Sequence, residues 1–221
     1  MKWYLDFGHG GKDSGAIGTN KTKESDTVLK IGMLIKNNLE QAFEKVITTR
    51  EEDKYYSLDY RSSKANKENC DYFVSIHMNS STNKSAKGVE VWVYDEKSKL
   101  YTLSKDICTN LSKAINTPNR GVKISKNFSV LKKTKMPALL IEIDFISNTS
   151  VEASLKSDIY IKNIATSISK SLLAFVNKSI VDDGIFYRVC IGEFKDMSTA
   201  VEIKNTAISK GFNNTHIINS L

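Results

Sequence analysis

The 221-residue sequence predicts an α/β protein: a three-layer αβα arrangement around a mostly parallel, twisted sheet, with a small βαβ unit at the C-terminal end. Three observations predict it. Short runs rich in valine, isoleucine and aromatic residues alternate with longer stretches of helical periodicity, from the start to about residue 178. Those short runs are apolar almost throughout, as strands covered on both faces must be. Periodicity then stops at "NKSIVDDG" (177–184), where charge and glycine mark a boundary.

The elements follow in order. "KWYLDF" (2–7) reads as a buried strand, and residues 24–43 place Val28, Ile31, Ile35, Leu39 and Ala42 on one helical stripe. "KVITTR" (45–50) is a second strand, followed by a polar helix near 57–69. Strands "DYFVSIH" (71–77) and "GVEVWVY" (88–94) precede a helix over about 97–116, and "PALLIEIDF" (137–145) is the next strand. Residues 158–176 carry Ile161, Ile164, Ile168, Leu172 and Phe175 at helical spacing, so this helix should pack along the sheet. Beyond the boundary come a strand "IFYRVCIGEF", a helix from about Ser198 to Gly211 and a final strand "THIINS". The expected division is a larger domain at 1–177, a linker at 178–184 and a small unit at 185–221.

Composition bounds the function. At 40% hydrophobic the chain can bury a substantial core, yet no window approaches the ~18 uninterrupted apolar residues of a membrane span. "MKWYLDFGHGG" enters strand-like sequence without a basic, apolar and cleavage region, so synthesis in the cytoplasm without a signal peptide is expected. Cys70, Cys108 and Cys190 are scattered and lack CxxC spacing; they read as buried free thiols rather than a disulfide framework or a metal site. The formal charge of +7 is spread over the chain with no aromatic-rich basic run and no helix-turn-helix pattern, so nucleic acid is not the expected partner. The same charge suits an anionic polymer such as a cell wall.

The chemistry starts at "LDFGHGGKDS" (5–14). A GxxxxGK[ST] loop would need glycine at position 6 and serine or threonine at position 13, and both are aspartate; a GxGxxG loop from Gly8 meets Asp13 where its third glycine belongs. What remains is His9 on a glycine-rich turn beyond the first strand, the place where sites form in parallel sheets. His77 ends another apolar strand, and Glu24 opens the first long helix. Two imidazoles and one carboxylate, with a fourth position left for water, make an open catalytic zinc set. The competing reading has His9 and His77 as hydrogen-bonded loop histidines and Glu24 as an acid favoured by the helix dipole. Glu142 interrupts "PALLIEIDF", and a glutamate among apolar strand residues is costly unless it is paired, metal-bound or functional. It reads either as a general base or as an acid neutralised by Lys133 or Lys135. Asn79 is a candidate for a polar substrate contact or a loop cap, and Arg50 and Arg61 are expected in structural ion pairs.

Taken as an ordered series, "LDFGHGGKDSGAIG", Glu24, "VITTREED", "LDYRSSKAN", "DYFVSIHMNSS", "KGVEVWVY", "NRGVK" and "VLKKTKMPALLIEIDFISN" resemble the zinc-dependent N-acetylmuramoyl-L-alanine amidases of the amidase-3 family, over residues 2–177. The resemblance implies one zinc ion held by His9, Glu24 and His77, with Glu142 catalytic. It implies peptidoglycan as substrate, cleaved at the amide between N-acetylmuramic acid and L-alanine of the stem peptide. Two positions depart from the family pattern: Phe7 stands where proline is usual, and Asp144 where a small residue is common, with a possible effect on charge near Glu142 or on the fit of the peptide. The tail "FYRVCIGEFKDMSTAVEIKNTAISKGF" resembles the first half of a SPOR domain, a peptidoglycan-binding module. Some forty residues hold too little core to stand alone, so this unit is expected to dock or to pair with its copy in a homodimer. The implied setting is a phage endolysin, taken first, or a mother-cell autolysin, acting on the wall after release. The alternatives are a catalytically silent amidase-like protein that binds peptidoglycan or a partner, and a zinc peptidase cutting within the stem.

Overall fold

The computed structural model describes residues 1–180, 192–212, 215 and 217, and the chain divides into two compact units, Met1–Val181 and Asp182–Leu221. In the first unit six strands form one sheet in the order β2-β1-β3-β6-β4-β5. They are β1 (Lys2–Phe7), β2 (Lys45–Thr48), β3 (Tyr72–Asn79), β4 (Val89–Val93), β5 (Asn119–Ile124) and β6 (Ala138–Phe145). β2, β1, β3 and β6 run parallel, whereas β4 runs antiparallel to β6 and parallel to β5. The sheet is therefore mostly parallel with one reversal. That reversal brings the start of β4 to the edge where β3 and β6 end.

Helices cover both faces. Helix α1 (Glu24–Gln41), α3 (Tyr101–Ala114) and α6 (Asp158–Phe175) pack on one, through a core that includes Leu5, Phe7, Val74, Ile76, Ile141 and the predicted stripe of Val28, Ile31, Ile35 and Leu39. Each of those four helix side chains is fully buried, a burial worth about 1.5–3 kcal/mol apiece. Helix α2 (Leu58–Lys67) and the short α4 (Ser129–Lys133) cover the other face over Tyr4, Phe73, Ala138 and Leu140. Ser57, Asn148 and Ser157 cap α2, α5 (Thr149–Ser154) and α6 by accepting bonds from the first-turn amides. Residues 95–100 form a turn, so α3 starts four residues later than the periodicity suggests.

β5, α4 and α5 escaped the sequence reading. "NRGVKI" lies at the sheet edge, half-buried and polar, and lacks the apolar run that marks the other strands. The two helices are of five and six residues, too short to develop periodicity.

In the second unit α7 (Met197–Ser209) is capped by Asp196, whose carboxylate accepts from the amides of Ser198 and Thr199. The helix falls where the spacing predicts it. The strands expected on either side, and Cys190, lie wholly or mainly outside the described residues. Cys70 and Cys108 are buried free thiols. Among the described residues no helix is long and apolar enough to cross a membrane.

Candidate active site

His9 lies just past β1 with φ 59°, a left-handed conformation that costs a residue with a side chain about 1–3 kcal/mol. Two buried arginines hold it there. Arg61 on α2 pairs with Asp6 at 2.8 Å and donates to the carbonyls of Phe7 and His9, each at 2.8 Å. Arg50 donates to the carbonyls of Phe7, Gly8, Ser25 and Glu52. Arg61 is thus the structural ion pair expected of it; Arg50 binds carbonyls instead, and no carboxylate pairs with it among the described residues.

Glu24 is the first residue of α1, and its buried carboxylate is the centre of the cluster. Oε1 lies 3.1 Å from His9 Nε2 and 2.9 Å from His77 Nδ1, and accepts from the Met78 amide at 3.0 Å; Oε2 accepts from the Ala16 amide at 2.9 Å. The two rings stand edge to face with centroids 5.0 Å apart. His9, Glu24 and His77 each offer one ligand atom, all within 4.8 Å of one another, so the three side chains can share a metal ion. Behind His9, its Nδ1 lies 2.9 Å from Asp13 Oδ2, the kind of carboxylate that fixes the ring orientation of a ligating histidine. Sequence reasoning missed Asp13 in this role; its spacing of four from His9 within one loop was the available signal.

Two glycines make the cluster possible. A Cβ on Gly8 would fall 2.4 Å from His77 Cε1, and one on Gly15, at φ 64°, would fall 2.6 Å from both Glu24 Oε2 and His9 Cδ2. The glycines make room for the ligand side chains themselves, a closer constraint than the passage of backbone near a ligand.

Charge follows geometry. Burial opposes ionisation of Glu24, but the hydrogen bonds from His77 and His9 outweigh it and hold the carboxyl well below the usual range. Burial likewise disfavours the charged form of His9, and contact with Glu24 and Asp13 more than offsets it, pushing the imidazole up to about 9. His77 is raised against its burial by Glu24 in the same way. The carboxylate of Glu24 thus favours positive charge at the point where the three groups meet.

Glu142 is the register partner of His77 on the adjacent strand, and Glu90 of β4 is the register partner of Glu142. One row across three strands therefore reads His77, Glu142, Glu90. Burial, ahead of the nearby charges, raises Glu142 to about 7, and its Oε2 is buried with no hydrogen-bond partner. Neither lysine weighed against it is the neutralising partner: Lys133 pairs with Asp59, and among the described residues no ion pair joins Lys135 to Glu142. Asn79 donates to Glu90 at 3.2 Å and accepts from the Ser80 amide at 2.8 Å, so both ends of its side-chain amide are engaged. Asp144 has both oxygens occupied, by the Gly88 amide at 2.8 Å and the Thr117 hydroxyl at 2.6 Å, so this departure from the family pattern braces the start of β4. Glu90 was also missed, although it interrupts "GVEVWVY" as Glu142 interrupts its own strand.

A mostly parallel α/β sheet whose strand ends gather a His–Glu–His cluster and a desolvated glutamate has the layout of a hydrolase. The family model for N-acetylmuramoyl-L-alanine amidases, Amidase_3, matches residues 4–174, and the chain belongs to that family. It is 34% identical over 215 residues to the sporulation-specific N-acetylmuramoyl-L-alanine amidase of Bacillus subtilis strain 168, covering 96% of this chain and 82% of that one. The endolysin of Bacillus phage SPP1 is 36% identical over 181 residues, covering 79% and 65% respectively. Among solved structures, the N-acetylmuramoyl-L-alanine amidase AmiC2 of Nostoc punctiforme superposes with a TM-score of 0.75 at 33% identity, over 80% of this chain and 98% of that one. The chain is a peptidoglycan hydrolase acting on the N-acetylmuramoyl-L-alanine amide.

Proposed function

We propose that the hydrolysis is zinc-dependent, with one ion per chain held by His9, Glu24 and His77, and that Glu142 is the general base. The observation that carries this reading is the orphaned, buried Oε2 of Glu142 on the strand next to His77. A carboxylate left unpartnered there is costly for the fold and useful for proton transfer. When bound, the ion supplies Lewis-acid polarisation of the amide carbonyl and activation of water near neutral pH. Asp13 accepts the Nδ1 proton of His9, which leaves Nε2 with its lone pair toward Glu24 and His77. Glu142 takes a proton from the attacking water at Oε2 and returns it to the departing L-alanine nitrogen. The new C–O bond forms first, and the C–N bond then breaks as the nitrogen is protonated, giving a free lactyl carboxyl and a free stem peptide.

Digestion of purified peptidoglycan with and without a chelator tests this. New L-alanine amino termini without new reducing sugars are expected, lost with the chelator and restored by zinc. Glu142→Gln should keep the metal and lose about 10²–10⁴ in turnover. Near-normal release of stem peptides by that variant would remove Glu142 as the base.

For the rest of the chain we propose the division at 1–177, 178–184 and 185–221, the last a SPOR-like half-module for wall binding or dimerisation. Met197, Val201 and Ile208 lie along one stripe of α7 and all are exposed, which supports a face awaiting a partner. The match to the sporulation-specific relative extends over 96% of this chain, against 79% for the phage endolysin, and so takes in the tail. That extent favours a wall-lytic role in a sporulating cell over the endolysin setting.

A further inference from the structure

Three arginines lie among the described residues, and they are used differently. Arg50 and Arg61 commit every guanidinium nitrogen to the fold around His9. Arg120, on β5, commits only Nε, to Glu90 Oε1 at 2.7 Å. Its two terminal nitrogens have no hydrogen-bond partner among the described residues, and its side chain is 42% exposed. It is nevertheless held on three sides. The guanidinium lies over the Phe145 ring at 5.1 Å, Glu90 grips one edge, and the stem runs where a Cβ on Gly88 would strike Cγ and Cδ at 2.7 Å. Glu90 is itself buried and fixed on its other oxygen by Asn79, so the row from Glu142 through Glu90 ends in an oriented, unsaturated guanidinium fork.

We infer that Arg120 recognises a carboxylate of the stem peptide, on the leaving-group side of the scissile amide. This rests on the amidase activity and is independent of the zinc proposal. An oriented fork with both terminal nitrogens free matches a planar anion better than any neutral acceptor. The glycan offers no such anion at the cleavage point, because the lactyl carboxyl is tied up in the amide itself; the peptide does. β5 is two strand spacings from β6, about 10 Å, and each extended residue advances roughly 3.3–3.6 Å. An arginine side chain reaching inward from there meets the acidic residue that follows L-alanine.

Two soluble substrates test this with the full chain: N-acetylmuramoyl-L-alanyl-D-glutamate γ-methylamide with a free α-carboxylate, and the same compound as the α-carboxamide. The wild type should prefer the carboxylate by about tenfold to a hundredfold in kcat/KM, the worth of a charge-assisted fork. Arg120→Gln should erase that preference by losing rate on the carboxylate alone, and Arg120→Lys should keep only part of it. A structural role would lower both substrates by one factor, and that result would overturn the inference, as would equal rates for the wild type. Should Arg120→Gln fail to fold, the wild-type ratio and the lysine variant decide the matter. Cleavage of neither substrate by the wild type would instead count against the amidase reading, and the inference would fall with it.

Discussion

Gly8 has no side chain because the imidazole of His77 already occupies the space where one would be. The same residue follows β1 and donates its amide to the Ile76 carbonyl, so the backbone is held and the ring is what must move. Gly8→Ala should therefore turn His77 out of the cluster while leaving the core intact: metal content per chain after dialysis should fall well below that of the wild type, with activity, at a similar melting temperature. Retention of a full complement of metal would show that the ring has another place to go. At this scale the sequence was informative wherever a residue stood against its surroundings. His9 among glycines and Glu142 among aliphatics were visible for that reason. Glu90 carried the same signal in "GVEVWVY", whereas Asp13 had only its spacing of four from His9, a weak signal because an aspartate in a polar loop has many ordinary uses.

Strand β1 and helix α2 are joined by Asp6 and Arg61, both buried, and the same guanidinium reaches on to the His9 carbonyl. Burial works against the Asp6 charge, but Arg61 and the Thr49 hydroxyl more than compensate and hold its carboxyl below the usual range. A carboxyl lowered on folding contributes stability that is full above its unfolded value near pH 3.9 and is lost as pH falls through the folded value. Acid melts should therefore show a steep loss of stability below about pH 4. Asp6→Asn should flatten that limb and, by leaving the buried guanidinium uncompensated, cost about 3–5 kcal/mol at neutral pH. Circular dichroism melts from pH 2 to 7 measure both, and an unchanged acid limb would remove Asp6 as its source. The elements themselves were legible in proportion to their apolar pattern. The α1 stripe announced itself, whereas β5 is an edge strand whose polar residues include the arginine that the site uses.

At the scale of the whole molecule, the first unit supplies the chemistry and the second exposes the apolar stripe of α7. If that stripe pairs with its copy, light scattering at micromolar concentration should give about twice the 24.8 kDa chain mass, and Val201→Lys should return the protein to a monomer. A monomeric mass for the wild type would leave wall binding as the role proposed for the tail. The +7 charge of the chain fits association with an anionic wall in either case, and should make binding to sacculi weaken as salt is raised.

The sequence by itself determined the α/β class, the long helices and most strands, and it marked His9, Glu24, His77 and Glu142 as candidates, because hydrophobic periodicity and the cost of a misplaced charge are local properties of the chain. Only the tertiary structure decided the strand order and the reversal of β4. It alone aligned His77, Glu142 and Glu90 in one row, committed Asp144 to bracing a turn, and left the fork of Arg120 free. Those are questions of which distant residues become neighbours, and neighbours across a sheet are set by register between strands, which no single strand's sequence contains.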